Sequence, residues 1–101
     1  MKAISKVSDI DYQDVADYLR ITELTQGDIE TLNNILIVAK SYITKYTGQT
    51  IEALDDLQDV IIVVLILCQD MWDNRALYVD DNLQANKVVE SILGLHSVNL
   101  L

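Results

Sequence analysis

Residues 60–68 read VIIVVLILC, nine consecutive apolar side chains in a chain of 101. Such a run can be a buried strand, part of a membrane span, or the centre of a buried helix. Nine residues fall well short of the ~20 that a membrane helix needs. The β-branched centre makes a strand over 60–66 a fair rival. The flanks favour a helix. Leu57, Val60, Ile61, Val64, Leu65, Cys68, Met71 and Trp72 recur at helical spacing, through DLQD on one side and QDMWDN on the other. A strand of that length would far exceed the usual five or six residues. The pattern predicts a helix over 56–78, the third in the chain, with Asp55, Asp56 and Asp59 at its favoured N-terminal end.

The rest of the chain is read as helical too, since it holds no proline and three glycines. A first short helix is predicted over 11–20, with Val15 and Leu19 on one face and Ser8, Asp9 or Asp11 as cap. A second is predicted over 26–47. Thr25 and Asp28 form a capping-box pair at its start and Gly48 stops it. Ile29, Leu32, Leu36, Ala39, Ile43 and Tyr46 make its stripe, and Ile35, Ile37 and Val38 widen the apolar surface. Lys40 and Lys45 lie toward its C-terminal end, where the helix dipole favours cations. Residues 49–55 connect, with some helical character. A fourth helix is predicted over 83–93, capped by Asn82 and stopped by Gly94, and LHSVNLL follows as an untethered tail. The expected fold is all-α: one domain over 1–101, a bundle of about four helices, a long apolar third helix and a C-terminal tail.

That third helix is apolar all round, since Ile62, Val63, Ile66 and Leu67 lie off its main stripe. A surface helix needs only one stripe about 100° wide. Either the helix is a fully buried hub or part of it faces a second subunit.

Net charge is −9, concentrated in residues 51–101, where Arg75 and Lys87 are the only cations against nine acids. Without a basic cluster, tight binding to DNA or RNA is not expected. Cys68 is the only cysteine and His96 the only histidine, too few for a Cys/His metal site. No cofactor is expected. MKAISKVSDI has no apolar signal segment, so a soluble intracellular chain with no membrane partner is expected.

MWDNRALYVDD at 71–81 collects Trp72, Asp73, Arg75 and Tyr78. No nucleophile with an orienting base accompanies them, so catalysis is not expected. Trp72 in the core, with Arg75 paired to an acid, is the plain structural reading. Trp, Tyr and Arg are also enriched at binding hot spots. Tyr42 and Tyr46, one turn apart, read as packing on a helix face.

Four segments together resemble the small head–tail connector (adaptor) proteins of long-tailed bacteriophages. They are DVADYLRI at 14–21, ILIVAKSYITKYTG at 35–48, DLQDVIIVVLILCQDMWDNRALY at 56–78 and ESILGLHSVNLL at 90–101. The resemblance covers nearly the whole chain in order. It implies a dodecameric homo-oligomeric ring beneath the portal protein, which extends the DNA channel and offers a platform to the next connector or stopper protein. It also implies a virion protein of the head–tail interface, assembled in the bacterial host cytoplasm, whose segment 92–101 reaches toward the portal. DNA would pass without specific binding, and an acidic wall would repel phosphates within a Debye length of ~8–10 Å.

The expected contact residues are Ile62, Ile66, Trp72, Arg75 and Tyr78 on and beyond the third helix. In the C-terminal segment they are Ile92, Leu93, Leu95, Val98, Leu100 and Leu101. The competing class is a small acidic regulatory module that sequesters a basic protein partner.

Overall fold

Thr25 begins the longest helix by accepting the Asp28 N–H at its hydroxyl while Asp28 accepts the Thr25 N–H, a closed capping box. The helix ends at Gly48, whose φ of 71° is the left-handed conformation that glycine adopts without a Cβ penalty. In the computed structural model, which describes residues 3–74 and 93–96, this helix runs Gln26–Thr47, as the sequence predicts. The described residues are all-helical, with no strand. A 3-10 turn spans Val7–Asp9, and the α-helices are α1 (Tyr12–Leu19), α2 (Gln26–Thr47), α3 (Ile51–Leu54) and α4 (Gln58–Asp73).

Helix α1 starts at Asp11, also through a capping box, here with Asp14. It stops at Arg20, held at φ 60°. The Ile21 N–H reaches back to Ala16 O and the Arg20 N–H to Asp17 O, the double bond pattern of a Schellman cap. Ala16 is buried and Ile21 packs against the core, which supplies the apolar contact this cap favours.

The predicted third helix differs in extent. It begins at Gln58 rather than Asp56, because Thr50 caps a separate one-turn helix α3. Asp55 and Asp56 form the corner between α3 and α4, and Leu57 is extended. It also ends earlier than predicted, at Asp73, where Asn74 leaves the helical conformation as C-cap; residues 75–78 of the prediction lie outside the described residues. So does the predicted fourth helix, except for its last residue. Gly94 is not the stop assigned to it: residues 93–95 are helical, and the turn closes at His96.

Helices α1, α2 and α4 each pack against the other two, so the core lies inside a triangle of helices. Eight of the sixteen residues of α4 are buried, which makes it mainly the central hub of its own chain. Val15 and Ala16 from α1, and Leu32, Leu36, Ala39 and Ile43 from α2, close around it. At about 25 cal/mol per Å² of apolar area, each fully covered Val or Leu contributes ~1.5–3 kcal/mol.

Two outlying segments are tied to the corner between α3 and α4. On the N-terminal side, the Val7 N–H donates to Asp55 O (2.9 Å), and Ser8 donates to both Asp55 carboxylate oxygens (2.7 and 3.0 Å). Lys40 reaches from α2 to Ile10 O at 3.1 Å, so its charge serves this junction rather than the C-terminal turn of its helix. The C-terminal side is tied through His96.

Candidate assembly surface

Burial along α4 has helical periodicity. Gln58, Ile62, Gln69 and Asp73 are exposed and Ile66 is half-buried, while the eight buried residues of the helix face the core. At 100° per residue these five fall on one outward stripe. Its centre is apolar: Ile62 is 53% exposed, and Ile66 packs partly against the core. Burying Ile62 here would require a backbone rotation that exposes Val60, Val63 or Val64.

The expected contact residues divide into three groups. Ile62, and in part Ile66, present surface. Trp72 is half-buried in the last turn of α4 and packs against the core, so it seals that helix end. Arg75, Tyr78, Ile92, Val98, Leu100 and Leu101 lie outside the described residues. In the C-terminal group Leu93 and Leu95 have opposite fates. Leu93 is completely buried in the core of its own chain and is removed from the contact set. Leu95, two residues on, is 80% exposed.

The expectation of an untethered tail is corrected at the same place. His96 Nε2 lies 2.7 Å from Asp59 Oδ2, in the first turn of α4. Gln49 Nε2, just past the end of α2, donates to the His96 carbonyl oxygen. With Leu93 inserted in the core, residues 93–96 are a clasp on the body. Sequence reasoning misses it because the partners are 37 and 47 positions apart and belong to no motif.

Helix α2 also carries exposed apolar residues off its stripe. Ile37 and Val38, noted only as extra apolar surface, are exposed on its outer side, whereas neighbouring Ile35 is buried. The signal was present: two apolar residues one position apart cannot both lie on one narrow inward stripe. Tyr42 and Tyr46 stack with ring centroids 5.9 Å apart, helix-face packing as expected.

Among the described residues no group of His, Cys, Asp and Glu is arranged to hold a metal ion. No described helix is long and apolar enough to cross a membrane. Burial pushes the Cys68 thiol up to about 12, far from the thiolate a nucleophile needs. The one histidine–carboxylate pair joins two chain segments. The chain matches no family model, no curated protein and no solved structure. The surface geometry and the order of the four segments therefore carry the functional reading.

Proposed function

We propose that this protein is a structural subunit of a phage head–tail connector, an adaptor that forms a ring under the portal. The supporting observation is Ile62, a large apolar residue left half-uncovered at the middle of the most apolar helix in the chain. An apolar centre flanked by Gln58, Gln69 and Asp73 has the pattern of a contact patch, with an apolar middle and a polar rim. The ordered resemblance of the four segments supplies the class of assembly. In this reading the subunit is dodecameric, binds the portal on one side and the next connector or stopper on the other, and resides in the virion. The acidic surface lets DNA slide past without binding. Leu95 and the residues after the clasp form the arm that meets the portal.

Negative-stain microscopy of the purified protein, alone and mixed with candidate portal and stopper proteins, tests this reading. Rings with a central hole, alone or on the portal, are expected. Monomers and dimers in every mixture, with capture by a basic protein instead, would establish the acidic regulatory module.

A further inference from the structure

The connector reading requires copies of the chain to touch; the following inference rests on it and specifies how they touch. Two apolar patches lie on different helices. One is the α4 stripe with Ile62 and Ile66. The other is the outer stripe of α2, where Ile37 is 66% exposed and Val38 45%. Because α1, α2 and α4 form a triangle, the outward stripes of α2 and α4 point away from each other. Among the described residues of one copy, none covers either patch. A pair related by a two-fold axis through one patch would leave the other exposed, whereas a head-to-tail contact uses both and repeats around a ring.

Charge fixes the direction. On α2, Lys45 lies two turns beyond Ile37 and on the same side. On α4, Asp73 lies two turns beyond Ile66 and on the same side. Both are exposed, and among the described residues neither makes an ion pair. At 1.5 Å per residue, each charge stands roughly 11–14 Å from the centre of its apolar pair. The opposite ends carry Glu30 on α2 and the uncharged Gln58 on α4. If the two helices run parallel, Lys45 meets Asp73 and Glu30 meets Gln58. If they run antiparallel, Glu30 meets Asp73, a like-charge contact that costs energy, and Lys45 meets the Gln58 end, where Asp55 and Asp59 are already held by Ser8 and His96 and Asp56 is the exposed acid.

We propose that the ring closes through a heterologous contact in which α2 of one copy lies parallel to α4 of the next. Ile37 and Val38 sit on Ile62 and Ile66, and Lys45 pairs with Asp73. The occupant of each patch is a second copy of this chain.

Two variants, each with one added cysteine, Val38→Cys and Ile62→Cys, are mixed under assembly conditions and treated with a short bismaleimide. Both sites are exposed, so folding is unaffected, and the buried Cys68 does not compete. The expected product is the 38–62 cross-link in the mixture, with little 38–38 or 62–62. As an independent arm, Lys45→Glu or Asp73→Lys alone should raise the concentration needed for assembly about fivefold or more, and the double exchange should restore it. Rings that form with like–like cross-links, or without response to the charge exchanges, overturn the α2–α4 contact and leave the connector reading standing. Failure to assemble, both alone and with portal, overturns the two together.

Discussion

His96 and Asp59 are joined across 37 residues, imidazole Nε2 to carboxylate Oδ2 at 2.7 Å, where the chain's last described turn meets the first turn of α4. The contact places residues 93–96. Leu93 fixes the root of this segment in the core and the Asp59 carboxylate holds its turn, so Leu95 points out from a defined corner of the body.

Replacing Asp59 by Asn or His96 by Ala should loosen this turn without unfolding the bundle. Both side chains are partly exposed, so the pair contributes about 0.2–1 kcal/mol, a melting shift of a few degrees at most for a domain of this size. Hydrogen exchange checks it: amides 94–96 should lose protection while α2 and α4 keep theirs. Leu93→Ala is the contrast, because it opens a cavity in the core and should cost about 2–5 kcal/mol in urea unfolding. Truncation after residue 96 should be nearly neutral. Truncation before 93 should cost as much as Leu93→Ala or more, and equal effects of the two truncations would mean that the clasp contributes nothing.

Arg20 closes α1 with a left-handed backbone at φ 60°. A side chain in this conformation costs on the order of 1 kcal/mol, which glycine avoids. Arg20→Gly should therefore stabilise the chain by about 0.5–1 kcal/mol, since the Schellman bonds from Arg20 and Ile21 are kept. A higher urea midpoint at unchanged slope is the expected result. Destabilisation would show that the Arg20 side chain contributes more than its backbone strain costs.

How far the fold can be read from residues depends on whether the cause is local. The boundaries of α2 were legible because Thr25, Asp28 and Gly48 act within four residues of themselves. The periodic stripe through VIIVVLILC identified a helix correctly, yet its start shifted to Gln58 because the Thr50 cap on α3 competes for the same stretch. The exposed apolar residues are half legible: the off-stripe position of Ile62 points outward, while Ile37 and Val38 widen the apolar surface of α2 without showing which of its faces is covered. The clasp was illegible. A lone histidine and one of sixteen acids become partners only when the third dimension brings Leu93 into the core.

Asp55 holds the N-terminal segment, and its grip is pH-dependent. The Ser8 backbone N–H holds its carboxyl below the ordinary aspartate range; partial burial opposes this, and the Ser8 hydroxyl, Lys6 and Lys40 add to it. A depressed folded-state value means that the unfolded chain binds the proton first as pH falls. The contribution to stability is therefore complete above the unfolded value of about 3.9 and is lost as pH drops through the lower folded value. The Ser8 amide proton shift, followed by NMR, should titrate at a pH below that of an aspartate in an unfolded peptide. Asp55→Asn should abolish that titration, and a wild-type midpoint at or above the unfolded value would refute the assignment.

Cys68 titrates in the opposite direction. Burial among the apolar residues of α4 pushes its thiol up to about 12, with Lys40 opposing weakly. The native chain thus keeps a proton that the unfolded chain releases near pH 8.5. The thiol's contribution is fully present below that value and declines as pH rises toward 12. At pH 8 the native thiol should react with a disulfide reagent only as fast as the bundle opens, and in 6–8 M urea at the ordinary rate of a free cysteine. Cys68→Ser should cost about 1–3 kcal/mol, because it places a hydroxyl among side chains that cannot bond it. A native reaction rate independent of added denaturant, and close to that of a free thiol, would mean that α4 turns this face to solvent and that the hub of the fold lies elsewhere.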